Sequence, residues 1–229
     1  MTKPIILRNA TADTPELWFY CEFGSDDYGY GNCISANAVR DALSQIGSPR
    51  KMNIHINCPG GDVFEASAIY NVLKNYPAKK NILIDGLAAS CASWVAQVGD
   101  TISMAENGLM MIHDPETMSY GNQEQLLKDA AMLGQVKSTI LGIYAARSTK
   151  CTAEKFGAAM SAETWYTANE ALDCGLIDSI DPNKSVTCSV DPRRFRNAPS
   201  WVKERSILAD DWKKIINERR LQLNEAEAA

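Results

Sequence analysis

The order of apolar and polar residues along the chain predicts strands and helices that follow one another in turn. Alternating or short apolar runs predict strands at 17–23, 52–57, 80–85, 101–104 and 108–113. Apolar residues at helical spacing, or small apolar residues, predict helices at 34–46, 63–76, 87–98 and 122–148, and Ser35 is a fitting N-cap for the first. This succession predicts an α/β fold with repeated strand–helix units and a largely parallel sheet.

The composition is that of a globular chain. Of the 229 residues, 45% are hydrophobic and 22% are charged. No run approaches the roughly 18 apolar residues that span a bilayer, and the N-terminal apolar stretch is too short for a secretory signal. The seven cysteines have no CxxC spacing, which argues against a disulfide framework and a zinc site. We therefore expect a cytoplasmic protein that uses no metal and no cofactor.

The formal net charge of −5 is unevenly distributed. Residues 193–229 carry nine basic and six acidic side chains, whereas the residues before them carry 14 basic and 22 acidic ones. The change predicts a body of residues 1–190 and a C-terminal extension, residues 191–229, that is partly helical or flexible. The body is not basic enough to predict nucleic-acid binding. The arginines at the start of the extension fit either a solvated linker or a contact with a polyanion.

Three sequence features follow predicted strands, and ligand sites in open α/β sheets gather at such strand ends. The first is Asn57-Cys-Pro-Gly-Gly. Paired glycines permit a positive φ and let a backbone N–H approach a ligand without obstruction by a Cβ atom. The same residues also fit an ordinary tight turn.

The second feature is a serine at a strand-to-helix junction, in Gly86-Leu-Ala-Ala-Ser-Cys-Ala. Unpaired N–H groups at the start of a helix stabilise an oxyanion that forms beside Ser90. The pattern alone leaves Ser93 as an alternative nucleophile. It also fits a buried helix whose serines only bond to the backbone.

The third feature is His113, which ends an apolar strand. The chain contains one other histidine, His55, which lies inside an alternating strand where packing is its expected role. A serine nucleophile needs a base because its hydroxyl is weakly nucleophilic at neutral pH. His113 is 23 residues beyond Ser90, which allows the two to reach neighbouring positions in the sheet.

A histidine base is usually oriented by a carboxylate on its other ring nitrogen. Asp114 follows His113 directly and is expected to point the other way. Glu163 follows the long predicted helix, but the pattern does not select it over Asp173 or Asp178.

Together these motifs resemble those of the ClpP-like serine peptidases, the proteolytic subunits of the Clp system, and most closely the phage-encoded members that act in prohead maturation. Asn57-Cys-Pro-Gly-Gly is similar to the family's Asn-Ser-Pro-Gly-Gly. The segments at Ser90 and His113 are similar to its nucleophile and base motifs, and the segment from Glu163 is similar to the one that begins at its catalytic aspartate. The resemblance runs from about residue 17 to about residue 180.

The resemblance implies a ClpP/crotonase-like fold and a Ser90, His113 and Glu163 triad, with Glu in place of the family's Asp. It implies that the amides of Gly61 and Cys91 form the oxyanion hole. It also implies that residues 122–148 form a protruding handle helix through which homo-oligomeric rings stack, and that an unfoldase ATPase is a partner to test for.

From this resemblance we predict a serine endopeptidase that acts on polypeptides, and more finely an ATP-independent maturation protease for capsid or scaffold proteins in a phage-infected cell. One alternative is a crotonase-like acyl-CoA enzyme, which shares the fold but has no Ser-His-acid set. Another is a hydrolase of the signal-peptide-peptidase type that uses Ser and Lys. The non-enzymatic alternative is a ring-forming scaffold with impaired catalysis, which the glutamate at position 163 keeps open.

Overall fold

The structure is a computed structural model that describes residues 5–25, 33–182 and 195–199. The strands are β1 (Ile5–Arg8), β2 (Glu16–Phe19), β3 (Lys51–Cys58), β4 (Lys79–Ala89), β5 (Thr101–Ala105), β6 (Leu109–Ile112), β7 (Thr164–Thr167) and β8 (Ser179–Asp181). The helices are α1 (Ala36–Ile46), α2 (Val63–Asn75), α3 (Cys91–Val95), α4 (Gln123–Arg147), α5 (Ala153–Ser161) and α6 (Ala168–Asp173). A 3₁₀ turn, Ala96–Val98, follows α3.

The described strands form one sheet in the order β1-β2-β3-β4-β5-β8. All neighbours along this path are parallel except β1 and β2, which are antiparallel. The C-terminal part of β4 pairs in parallel with β6, and β6 pairs antiparallel with β7. The helix α2 connects the parallel strands β3 and β4, as a crossover connection requires. The predicted α/β fold with a largely parallel sheet is therefore confirmed.

Local sequence signals explain where several helices begin. The Ser35 hydroxyl accepts the amide N–H of Ala38 and caps α1 as predicted. The Asn122 side chain caps α4 in the same way. The buried face of α1 consists of Val39, Ala42, Leu43 and Ile46. Ile34, which the spacing places on the helix, instead lies before it and forms an isolated bridge with Phe23.

The predicted boundary between β4 and α3 is wrong. The sequence predicts that the strand ends at residue 85 and that a helix spans 87–98, whereas β4 continues to Ala89 and α3 has five residues. The physical reason is the parallel ladder with β6, in which Leu87 pairs with Leu109 and Ala89 with Met111. This ladder satisfies the backbone of a stretch whose small apolar side chains are buried.

The long helix predicted at 122–148 packs against the core through its second half only. In α4, Ile140 and Tyr144 are buried, whereas Leu126 and Leu127 are 45% and 61% exposed. The first half of α4 therefore presents apolar side chains that no described part of the chain covers. None of the helices in the described ranges is both long and apolar enough to cross a membrane.

The chain divides into two units, Met1–Val186 and Thr187–Ala229. In the second unit the structure describes only residues 195–199, of which Phe195 and Ala198 are buried. The predicted boundary at 190/191 and the predicted helical tendency of the extension lie outside the described residues.

Candidate active site

Ser90 lies at the sharp turn between β4 and α3. Its backbone has φ 54° and ψ −130°, a conformation that a residue with a Cβ atom rarely adopts. The Ser90 amide donates to the carbonyl of Met111 at 2.9 Å, so the turn is tied to β6. A non-glycine residue held at positive φ is a form of backbone strain that clusters at functional sites.

His113 follows directly after β6, the strand that pairs with the end of β4. Because the two strands are parallel, Ser90 and His113 leave the sheet at the same edge. His113 Nε2 lies 2.7 Å from Ser90 Oγ. In the tautomer that carries its proton on Nδ1, His113 accepts the Ser90 hydroxyl proton, which is the contact that a general base requires.

Glu163 lies in the turn between α5 and β7 and is 3% exposed. It has a φ of 50°, which is again unusual for a residue with a side chain. Ile112 pairs with Thr164 in the antiparallel ladder of β6 and β7, so the backbones of His113 and Glu163 leave that ladder at the same end. The Trp165 indole N–H donates to Glu163 Oε1 at 3.4 Å. The structure thus brings a buried carboxylate to the His113 end of the sheet.

Asp114, which was expected to point away from His113, and Asp178, which the pattern left open, are both held by other contacts. Asp114 Oδ2 accepts from Lys137 Nζ at 2.8 Å and from the Ser161 hydroxyl at 3.0 Å. Asp178 Oδ2 accepts from Arg147 at 2.5 Å and from a backbone amide of β5. Asp173, the third, is exposed at the end of α6.

One carboxylate near His113 was not among the sequence predictions. Glu116 Oε1 lies 3.7 Å from His113 Nδ1, and the Glu116 side chain is 59% exposed. A glutamate three residues after the histidine was the available signal. An exposed ion pair at this distance is weak in water, so proximity alone does not make Glu116 the orienting group.

The two glycines after β3 lie against Ser90 and the backbone of Phe23. A Cβ atom on Gly60 would lie 2.6 Å from Ser90 Cβ, and one on Gly61 would lie 2.1 Å from the Phe23 carbonyl oxygen. Both residues also have positive φ, 103° and 140°. Only glycine fits these positions, so this segment is more than the ordinary tight turn that its sequence also allowed.

The Cys91 residue that follows the serine is buried, and its backbone N–H belongs to the first residue of α3. Burial raises the pKa of the Cys91 thiol, and a backbone contact from Gly61 partly opposes this. Gly61 and Cys91 therefore lie next to each other beside Ser90. Their proposed role in an oxyanion hole stays a prediction.

Ser93, the alternative nucleophile on the pattern alone, is fully buried. Its hydroxyl donates to the Ser90 carbonyl and lies 2.6 Å from the Tyr144 hydroxyl. Because Ser93 has one hydroxyl proton, the Tyr144 hydroxyl donates to Ser93 Oγ. Burial raises the pKa of Tyr144, which keeps that proton in place. Ser93 thus stabilises the strained turn through its hydrogen bond to the Ser90 carbonyl. Tyr144 was not among the sequence predictions, although its position four residues after Ile140 on the helix indicated that the two side chains share a face.

His55 lies inside β3 and is buried, as its place in the strand predicted. Its ring stacks on Trp18 with centroids 4.0 Å apart, and its Nδ1 lies 2.7 Å from Asp85 Oδ2. The Tyr20 hydroxyl donates to the same oxygen. In the described part of the chain, no cluster of three or more His, Cys, Asp and Glu side chains could hold a metal ion.

Comparison with known proteins identifies a family to which the sequence is similar. Residues 35–184 match the family model described as Clp protease. The chain is 27% identical over 144 residues to the ATP-dependent Clp protease proteolytic subunit of Pleurastrum terricola, which covers 62% of this chain and 73% of that protein. It is 29% identical over 133 residues to the subunit of the same name from Deinococcus radiodurans, covering 57% of this chain and 65% of the relative.

A third relative is the ATP-dependent Clp protease proteolytic subunit 3 of Rhodococcus jostii strain RHA1. It is 31% identical over 141 residues, which cover 60% of this chain and 69% of the relative. The matched region contains Ser90, His113 and Glu163 and ends near β8, before the charge change of the extension. The chain belongs to the Clp protease family and is, by that family, a serine-type peptidase.

Proposed function

We propose that this chain is a serine endopeptidase in which Ser90 is the nucleophile, His113 the general base and Glu163 the orienting carboxylate. The observation that carries the proposal is the 2.7 Å contact between Ser90 Oγ and His113 Nε2 at a strained strand-to-helix turn. The burial of Glu163 at the end of the β6–β7 ladder supports its role.

The reaction follows from these groups. His113 takes the Ser90 hydroxyl proton as Ser90 Oγ attacks a peptide carbonyl, and the amides of Gly61 and Cys91 hold the negative oxygen of the tetrahedral intermediate. His113 then gives the proton to the leaving amine. Water, activated by His113, hydrolyses the acyl-enzyme and restores Ser90.

The exposed apolar side chains at the start of α4 support a homo-oligomer. Met118 and Tyr120 are almost fully exposed, and Leu126 and Leu127 follow on the helix. Exposed apolar patches of this kind mark contact surfaces. We propose that α4 contacts a second copy of the chain in a stacked ring, as the family resemblance implies.

The finer proposal is an ATP-independent role in the maturation of phage capsid or scaffold proteins. The mildly basic extension supports it, because residues beyond 184 lie outside the matched family region. The relatives are named ATP-dependent subunits, which favours the alternative that an ATPase delivers substrate. Hydrolysis of casein and of capsid protein by the chain alone, without ATP, separates the two roles.

Serine-directed labelling tests the nucleophile and the base. A fluorophosphonate probe should label the wild-type chain, and Ser90→Ala and His113→Ala should both lose labelling and casein hydrolysis. Ser44→Ala is the matched control, because Ser44 is an exposed serine on α1. Wild-type rates in Ser90→Ala would disprove the assignment. Absence of labelling in an intact wild-type ring would favour the scaffold or acyl-CoA alternatives.

A further inference from the structure

Two cysteines lie in contact outside the candidate active site. Cys151 is in the connection between α4 and α5, and Cys174 follows the last residue of α6. Their sulfur atoms are 3.2 Å apart, and both are free thiols that are partly exposed. A small approach of the two sulfurs is enough to reach the length of a disulfide bond, about 2.05 Å.

The Ser148 hydroxyl links the backbones that carry the two thiols. Ser148 Oγ accepts the amide N–H of Cys151 at 3.1 Å and donates to the carbonyl of Cys174 at 2.5 Å. Lys150 Nζ donates to the Leu172 carbonyl at 2.7 Å and adds a second link between the same segments. The two cysteines are therefore positioned by contacts that do not depend on the sulfurs.

Glycine at position 175 makes this close approach possible. Gly175 has a φ of 73°, and a Cβ atom there would lie 2.7 Å from Ser148 Oγ. The pKa of the Cys174 thiol is raised to about 11, mainly because the thiol is partly buried. Cys174 is thus protonated at neutral pH, and thiol exchange at this cysteine should accelerate as the pH rises.

We propose that Cys151 and Cys174 form a site of reversible disulfide formation. The oxidant is a small-molecule disulfide such as glutathione disulfide. The thiolate of one cysteine attacks a sulfur of glutathione disulfide, which forms a mixed disulfide and releases one glutathione thiolate. The thiolate of the second cysteine attacks the protein sulfur of that mixed disulfide and releases the other glutathione thiolate. The two protein thiol protons pass to the two glutathiones, and the protein loses two electrons to the oxidant.

The bond would close a loop that contains α5, β7 and Glu163. A disulfide stabilises a protein mainly because it restricts the unfolded chain, and loops of this length give a substantial effect. Oxidation should therefore raise the Tm by about 5–10 °C. Neither the bond nor this shift depends on peptidase activity.

The experiment uses the full chain equilibrated with glutathione disulfide and glutathione at several ratios, followed by blocking of free thiols and mass spectrometry of peptides. We expect a peptide that links Cys151 to Cys174 and disappears with dithiothreitol. The link should be absent in Cys151→Ser and Cys174→Ser and retained in Cys21→Ser. Cys21 is a suitable control because its side chain is also partly exposed.

Two results would overturn the proposal. One is separate glutathione adducts on Cys151 and Cys174 in the folded wild-type chain with no link between them. The other is a link that pairs either cysteine with a different partner. The Tm provides an independent check, because oxidation should raise it in wild type and in Cys21→Ser and leave it unchanged in Cys151→Ser. Circular dichroism of the reduced variants establishes that each of them is folded.

Discussion

The two histidines of the chain have similar burial and equally close partners, yet they lie in different places in the sheet. The His55 side chain is 8% exposed and its Nδ1 lies 2.7 Å from Asp85. The His113 side chain is 14% exposed and its Nε2 lies 2.7 Å from Ser90. His55 is inside β3, whereas His113 lies just beyond the end of β6.

The comparison shows that a histidine–carboxylate pair is not by itself an active site. His55 is covered by the Trp18 ring, and Asp85 also accepts from Tyr20, so this cluster is satisfied within the fold. His113 instead contacts a serine hydroxyl at a strained turn beside two glycines. The strand end places His113 against a serine hydroxyl, whereas the strand interior places His55 in contacts that stabilise the fold.

The largest effect is expected when the base is removed. His113→Ala should lower kcat by at least about 10⁴-fold, because Ser90 then has no group to take its proton. The free energy of unfolding should change little in comparison. Peptide hydrolysis and denaturant unfolding measured on the same preparation check both parts. Activity within tenfold of wild type would place the base elsewhere.

The next largest effect on kcat distinguishes the role of Glu163 from that of Glu116. Glu163→Gln should lower kcat by about 10²–10⁴-fold, since the amide cannot stabilise the imidazolium and favours the wrong tautomer. Glu116→Gln is the matched control and should change kcat by less than about threefold, because its side chain is 59% exposed. The reverse order of effects would assign the orienting role to Glu116.

The third prediction concerns the other histidine. His55→Ala should lower the free energy of unfolding by about 2–4 kcal/mol, because Asp85 loses a buried partner and Trp18 loses a stacked ring. The kcat of the folded fraction should stay close to wild type. Urea unfolding measures the free energy of unfolding. The maximal rate divided by the active-site concentration from titration gives kcat. A large loss of kcat without a loss of stability would make His55 part of the reaction.

The smallest effect on kcat is expected for Tyr144, whose hydroxyl contacts Ser93. Tyr144→Phe removes the donor to Ser93 and should lower kcat about five- to tenfold with little change in KM, which corresponds to about one hydrogen bond. Steady-state kinetics separates the two constants. If stability falls while kcat is unchanged, Tyr144 has a structural role only. A matched control is Tyr70→Phe, since Tyr70 packs against Trp94 and is not bonded to Ser93.

The strands β2 to β6, the cap at Ser35 and the strand-end histidine were predictable because they depend on local sequence, whereas β1, β7 and β8 were not predicted. A strand-to-helix junction near Ser90 was predicted, but the bounds of β4 and α3 were not, because pairing with β6 decides between strand and helix for small apolar residues. The roles of Ser93 and Tyr144 could not be predicted, since their contact joins residues 51 positions apart. Glu163 was selected by resemblance, and its position beside the β6–β7 ladder depends on a register that spacing alone does not contain.

The hydrogen bond from the Ser90 amide to the Met111 carbonyl has a consequence for the motions of the site. This bond continues the ladder between β4 and β6, so Ser90 and His113 separate when the ladder opens. Amide hydrogens in such ladders exchange with solvent only through local or global opening. The deuterium exchange rate of the Ser90 amide therefore reports how often Ser90 and His113 separate in the folded protein.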